Sequence, residues 1–418
     1  MNVEIEDLAG DTTGANSERS RPVRILSMSI EYPNPEEPGR GLFVRSRLQH
    51  VAALSELKVV APIPVLDYSD PHRRVFRRSS APRRRADELL EVLHPRWAYP
   101  PYGTPVNVLC LFTSVLPHLK RLRRGFQFDI LDVHFGYPDG VAGALAAAVL
   151  RVPFVITLRG NEPIFAESRS RRWCIQWALR RASRVITVSQ KLAEFAIGLG
   201  VPPERVRTIG NGVDTDRFRP LNRPASRDRY AIPQAAKVIL SVGSLVEAKG
   251  HHRVIRAVAE LVAGGVDAHL LIVGTVTRGG RPFDDALRRM IYDLGVGSRV
   301  QMLGWIAPDR LPELMSAADV FCLASDAEGW PNVIHEALSC GSPVVATRVG
   351  AVPDLIPGEA YGIIVPVNDQ PALNQALRHA LEKPWRREAI SAWGQSRSWK
   401  QVAREVLAEI SQVLKCAE

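Results

Sequence analysis

The chain has 418 residues and a formal net charge of +10; at about 100–200 residues per domain, that length allows two domains or three. Hydrophobic residues make up 46% and charged residues 23%, a globular balance that excludes disorder of the bulk chain and a small disulfide scaffold. The five cysteines (Cys110, Cys174, Cys322, Cys340, Cys416) are scattered with no C-x-x-C pair, which excludes a zinc ribbon and a thioredoxin motif and reads as reduced thiols in a cytosolic protein.

The opening stretch MNVEIEDLAGDTTGANSERSRP is acidic and polar. It has no apolar h-region, so it does not read as a secretory signal, and residues 1–21 are expected to be disordered. From Val23 short apolar strands alternate with amphipathic helices. VRILSMSI (23–30) reads as a strand, Glu31–Gly41 as a loop and 42–54 as a helix. A strand at 57–64 is followed by irregular Pro- and Arg-rich sequence to about Thr104. Then come a strand at 128–135, an Ala-rich helix at 139–150, a strand at 153–160, a helix near 170–182 and a strand at 184–189. The longest apolar run, Val141–Leu150, is far short of the ~20 residues of a membrane span.

Residues 217–236, rich in Arg and Pro, break the rhythm and read as an interdomain linker. The alternation restarts with strands at 237–245, 268–275, 299–305, 319–325, 343–347 and 362–366. Helices fall at 251–263, 283–294, 309–317 and 331–340, and the tail from about Pro371 is helical. Near-continuous apolar strands separated by helices are buried parallel strands, hence α/β. Two such halves, 22–216 and 237–390, imply two Rossmann-like, doubly wound domains facing a cleft. Ligands in such sheets bind beyond the carboxyl ends of the strands.

The loops at those ends carry the candidate chemistry. Glu328-Gly-Trp-Pro-Asn-Val-Ile-His-Glu336 runs from a strand end into a helix. The backbone from Gly329 to Val333, with free N–H groups on Gly329, Trp330, Asn332 and Val333 and none on Pro331, would crown that helix, and such an N-terminus binds phosphate. Glu328 and Glu336 could then grip hydroxyls on either side; alone, the pair also fits a capped surface helix. Ser241-Val-Gly-Ser-Leu-Val-Glu-Ala-Lys-Gly250 ends another strand. Gly243 and Gly250 let backbone approach a ligand, and Lys249 offers a point charge for phosphate. Gly39-Arg-Gly41 follows the first strand but lacks the third glycine of a dinucleotide fingerprint. No P-loop and no metal-ligand cluster is found in the sequence.

Together SVGSLVEAKG, NGVDTDRF, RVQMLGW and EGWPNVIHE in the second half, with GYPDG (136–140) and TLRGN (157–161) in the first, resemble the family 4 glycosyltransferases. These are retaining enzymes of the GT-B fold. The first half is most similar to bacterial surface-polysaccharide enzymes of the teichuronic-acid type. The resemblance implies that Glu328 contacts the donor sugar and Glu336 the ribose. It implies backbone contacts from Gly329 to Val333, diphosphate binding by Lys249, and a base flanked by Met302, Leu303, Gly304 and Trp305. Gly39 and Gly41 would close on the diphosphate from the other domain. Ser244 stands where many members carry an arginine of the diphosphate clamp. Arg159 stands where many carry histidine, so either Arg159 or His134 would contact the reacting centre. The last helix, 391–418, is expected to cross back onto the first domain.

The reading is thus a cytoplasmic hexosyltransferase acting from a nucleotide-diphosphate sugar, without a metal cofactor, on a glycan or lipid-linked acceptor. Basic clusters at Arg73, Arg74, Arg77, Arg78, Arg83, Arg84 and Arg85, at Lys120, Arg121, Arg123 and Arg124, and at Arg169, Arg171 and Arg172 fit an anionic membrane surface as well as a solvated face. The rival readings are a nucleotide-sugar epimerase or phosphorylase of the same architecture and a basic nucleic-acid-binding protein. No nucleic-acid motif supports the last, and no nucleic-acid partner is expected.

Overall fold

The computed structural model describes residues 21–66, 79–100, 104–276 and 283–416. Residues 1–20 of the expected tail, and Arg73, Arg74, Arg77 and Arg78 of the arginine stretch, lie outside the described residues.

Two sheets, each wrapped by helices, carry the described chain. The first has eight strands in the order Val206–Thr208, Arg184–Thr187, Phe154–Leu158, Ile130–His134, Arg24–Met28, Glu56–Val60, Leu90–Leu93 and Arg84–Asp87. All its pairs are parallel except the last, which is antiparallel. The second has six parallel strands: Val300–Gly304, Ala268–Val273, Lys237–Val242, Val320–Leu323, Val344–Thr347 and Gly362–Val365. The central strands Ile130–His134, Phe154–Leu158, Val320–Leu323 and Val344–Thr347 are buried at every position. That is the expected state of a parallel strand covered on both faces.

Parallel strands place all their carboxyl ends on one edge, and here the two edges meet. Gly160, just past Leu158, lies against Gly329, just past the strand ending at Leu323: a Cβ on Gly160 would come within 2.5 Å of the Gly329 Cα. The last helix, Trp399–Lys415, buries Trp399, Val402, Ala403, Val406, Ile410 and Val413. These pack with Ile25, Val44, Leu48 and Val51 of the first half, so the chain's end returns to where it began.

Three segments differ from their expected form. The stretch up to Thr104 is not wholly irregular: Arg84–Asp87 and Leu90–Leu93 form a hairpin, so Arg84 and Arg85 lie in a strand rather than a loop. Each is paired, Arg84 with Glu91 at 2.7 Å and Arg85 with Asp87 at 3.2 Å. A long helix, Thr104–Gly125, follows with no sequence expectation behind it; it buries Val108, Leu111, Val115 and Leu119. The expected linker 217–236 contains the helix Arg223–Arg229. Its anchor is a buried arginine rather than an apolar stripe. Arg227 donates to the Ala317 and Ala236 carbonyls at 3.0 and 3.1 Å and pairs with Asp319 at 2.8 Å. Among the described residues no helix is long and apolar enough to cross a membrane.

Candidate active site

On the second domain, the strand ending at Leu323 runs through Ala324 and Ser325 into Glu328. The Glu328 carboxylate accepts from Lys249 Nζ at 2.6 Å and from Ser325 Oγ at 2.8 Å. Ser325 is itself fixed, its carbonyl accepting from Thr347 Oγ1 at 2.6 Å. Lys249 precedes Gly250, whose positive φ of 72° and close seat against the Ala324 carbonyl exclude a side chain. Lys249 and Glu328 therefore face each other as an ion pair rather than standing apart around a ligand. Gly243, Gly274 and Gly304 bring the neighbouring strand ends together: Gly274 N donates to the Gly304 carbonyl at 2.8 Å, and its Cα packs on the Gly243 carbonyl. Ser244, Leu303 and Gly304 are half-buried at this edge, and Trp305 is exposed.

The helix Asn332–Ser339 starts after Pro331 without a side-chain cap, so its first amides remain available. Asn332, Val333 and Glu336 from this helix line an interdomain cavity of about 730 Å³ with Gly39, Gly41, Phe43, Asp214, Arg217 and Asp309. Gly41 begins the Leu42–Ala52 helix at φ 61°, and a Cβ there would strike the Glu31 carbonyl. Burial pushes the Glu336 carboxyl up to about 7, with Arg217 acting against it. Trp330 packs against the cores of both domains, with Gly210 leaving room for its ring.

On the first domain, His134 is fully buried. Its Nε2 lies 3.0 Å from Asp132 Oδ2 and its Nδ1 2.8 Å from Arg159 Nη2. A guanidinium only donates, so Nδ1 accepts and Nε2 carries the proton donated to Asp132. Desolvation, with the two arginines Arg159 and Arg47 also opposing charge, holds His134 down at about 4 against the pull of Asp132. His134 is thus a neutral imidazole with both nitrogens committed. Asp132 is buried too, yet it is held well below the usual carboxylate range by His134 and Arg47. Arg47 reaches Asp132 at 3.6 Å and donates to Thr157 Oγ1 at 2.8 Å. Arg159 also donates to Asn211 Oδ1 at 2.8 Å, and Asn211 donates on to Asn332 Oδ1 at 3.0 Å. A chain of polar contacts thereby runs from Asp132 into the helix that carries Glu336. The guanidinium lies 5.3 Å from the Phe43 ring centroid, and its Nε has no partner among the described residues.

Apart from the buried His134–Arg159 pair and Pro331, which stands at the N-cap of the Asn332–Ser339 helix, the residues singled out from sequence fall into three groups. Gly39, Gly41, Asn332, Val333 and Glu336 share the cavity. Lys249 and Glu328 pair with each other outside that lining, with Gly329 and Trp330 pressed against the first domain. Gly243, Ser244, Leu303, Gly304 and Trp305 line the neighbouring strand ends, outside that cavity. Arg47, Asp132 and Glu162 are not singled out by the sequence reading, and Asn211 enters it only as the first residue of NGVDTDRF, with no role assigned. Asp132 had a signal: a carboxylate inside an apolar strand, two residues from His134 and hence on the same face. Asn211 looks only like the start of an Asn-Gly turn.

Residues 222–397 match the family described as glycosyl transferases group 1, and residues 72–217 match glycosyltransferase family 4. The chain is 31% identical over 331 residues to the GDP-mannose-dependent alpha-(1-6)-phosphatidylinositol monomannoside mannosyltransferase of Mycolicibacterium smegmatis, covering 76% of this chain and 84% of that one. It is 29% identical to the D-inositol 3-phosphate glycosyltransferase of Acidothermus cellulolyticus, over 77% of this chain and 75% of the relative. Its fold matches sucrose-phosphate synthase from Thermosynechococcus elongatus with a TM-score of 0.74 at 20% identity, covering 95% of this chain and all of that one. The chain belongs to the group 1, family 4 glycosyltransferases and has the GT-B fold; it is a hexosyltransferase. These relatives are inositol-phosphate and phosphatidylinositol-mannoside enzymes by name, not teichuronic-acid enzymes.

The raised Glu336 carboxyl has a consequence for stability. An unfolded glutamate ionises near 4.5 and this one near 7. Between those values the unfolded state holds fewer protons, so Glu336 makes stability fall as pH rises through that window. Glu336→Gln is expected to flatten this fall in denaturant titrations and to gain stability over the parent at pH 8. An unchanged slope would show that the carboxyl ionises normally.

Proposed function

We propose that the protein is a retaining glycosyltransferase that moves a hexosyl group from a nucleotide-diphosphate sugar to a hydroxyl of a glycan or lipid-linked acceptor in bacterial cell-surface glycan synthesis. The observation that carries this reading is the Lys249–Glu328 ion pair, 2.6 Å apart, beside the uncapped start of the Asn332–Ser339 helix. A diphosphate arriving there takes Lys249 and the free helix amides, and Glu328 is released to accept from sugar hydroxyls. Glu336, in the cavity, receives the ribose. The C1–phosphate bond breaks as the bond to the acceptor oxygen forms, and the hydroxyl's proton passes to the departing diphosphate oxygen. The negative charge on the departing diphosphate is then met by fixed positive groups, without a divalent cation.

Arg159 is our candidate for the first domain's contact with the reacting centre, because both ring nitrogens of His134 are already engaged. The mannosyltransferase relative is GDP-mannose-dependent by name, which supports a nucleotide sugar as donor. The inositol-containing acceptors named in the relatives support a polyhydroxylated acceptor, lipid-linked or free.

The two glutamates separate in kinetics. Glu328→Gln keeps the size and loses the charge next to the reacting carbon, so kcat is expected to fall by roughly 10²-fold. Glu336→Gln removes binding made equally in ground and transition states, so donor KM should rise with kcat little changed. Wild-type kcat and KM in Glu328→Gln would take that residue out of the site.

A peripheral membrane location forms part of the same proposal. The outer face of the Thr104–Gly125 helix exposes Val106 and Leu109 and then Lys120, Arg121 and Arg124, beside Arg83 and Arg84 across a shared groove with His118. Each such cation near an anionic surface is worth about 1 kcal/mol, or roughly fivefold in binding. In co-sedimentation with vesicles, binding should require anionic lipid, weaken with salt and fall in Arg121→Gln/Arg124→Gln. Equal binding to neutral vesicles would contradict this.

A further inference from the structure

Arg159 and Gly160 carry the first domain's half of the contact, and they stand on a loop. The amides of that loop do not continue the sheet. They go to one side chain that neither the motifs nor the site roles above include. Glu162 has no solvent exposure. Its carboxylate accepts from Gly160 N at 2.8 Å, from Arg159 N at 3.2 Å and from Gly136 N at 3.0 Å. Gly136 follows the Ile130–His134 strand, and Arg159 follows Phe154–Leu158. One carboxylate thus gathers the backbone just beyond two adjacent strand ends. The fit is tight, for a Cβ on Gly136 would lie 3.0 Å from Glu162 Cγ.

A buried carboxylate is costly unless its lone pairs are filled. Three charge-assisted bonds fill them here; burial and Arg47 push the Arg159 guanidinium well below its ordinary value, and Asp132 and Glu162 act against that. The geometry points to Glu162 as a positioning residue. It fixes the height of the Arg159–Gly160 backbone against Gly329 and so sets where the guanidinium meets the second domain. Two observations show how little slack that contact has. A Cβ on Gly329 would strike the Arg159 carbonyl, and one on Gly160 would reach the Gly329 Cα. The Arg159–Asn211–Asn332 hydrogen bonds, at 2.8 and 3.0 Å, depend on the same placement. This inference rests on the reading of Arg159 as the cation at the reacting centre.

Glu162→Gln keeps the shape but turns one acceptor into an NH₂ group facing backbone N–H donors. The loop must then move, and a displacement of about 1 Å at a reacting group costs roughly 10²-fold in rate. The proposed donor groups Lys249, Glu328, Glu336 and the Asn332–Ser339 helix amides lie on the second domain, and Gly39 and Gly41 stand on another loop of the first, so these stay in place. The test measures kcat, donor KM and melting temperature for Glu162→Gln, Glu162→Asp, Arg159→Gln and, as a control, Glu167→Gln at an exposed neighbouring position. We expect kcat of Glu162→Gln to fall about 10²-fold with donor KM within twofold of wild type. Glu162→Asp, which keeps the charge, should recover part of that loss and keeps the test open if the glutamine variant does not fold. Glu167→Gln should match wild type. A lowered melting temperature with wild-type kcat in the Glu162 variants would make Glu162 a purely structural cap and overturn the inference. So would a donor KM effect with kcat unchanged. Wild-type kcat in Arg159→Gln would overturn the underlying reading of Arg159, whereas a fallen kcat there with wild-type kcat in Glu162→Gln would overturn this inference alone.

Discussion

The structure depends on one contact with no room for side chains: Arg159–Gly160 of the first domain against Glu328–Gly329 of the second. Two parallel sheets each expose a row of strand ends, and either row alone is half a site. Only glycine lets the two backbones come close enough for groups on both rows to face one ligand. Gly350 continues the same logic behind Gly329, since a Cβ there would collide with the Glu328 and Gly329 carbonyls. Trp330 closes the contact by packing on both cores at once. The returning Trp399–Lys415 helix holds the domains together at their other side by burying its apolar face in the first.

Charge is handled differently on the two faces. The second domain keeps its pair, Lys249 and Glu328, partly open. The first domain buries its charges. Arg47, Asp132 and Arg159 are nearly inaccessible, and His134 stays neutral between them. Breaking such a buried set by removing one partner is costly because the remaining charge is left unpaired. The cluster is therefore rigid, and rigidity is what a group that must meet a transition state needs.

The two sheets were legible because buried parallel strands read as unbroken apolar runs, and the helix His251–Ala263 was expected over the same residues it occupies. Glu328 and Glu336 could be singled out because one local motif holds them at fixed spacing, and Lys249 because it sits in another. The pairing of Lys249 with Glu328 was not legible, since the two lie 79 positions apart in sequence and meet only through the fold. Asn211 bonds to residues 52 and 121 positions away, and Glu162 was hidden because its partners are backbone amides, which carry no sequence signal: two from its own loop and Gly136 from the neighbouring strand end. The helix Arg223–Arg229 escaped the apolar pattern because its anchor is the guanidinium of Arg227. The Thr104–Gly125 helix escaped behind Pro117 and a preceding Pro-rich stretch, although Val108, Leu111, Val115 and Leu119 have helical spacing.

The central claim is that the glycine contact makes one site from two half-sites. Gly160→Ala tests it most directly, with donor binding by calorimetry and transfer rate measured on the same folded sample. The methyl group presses on Gly329, while the proposed donor groups Lys249 and Glu336 and the Asn332–Ser339 helix amides lie elsewhere on the second domain. The dissociation constant should therefore change far less than transfer, which falls by roughly 10²-fold or more. Transfer at the wild-type rate, with the added methyl group accommodated, would contradict the account.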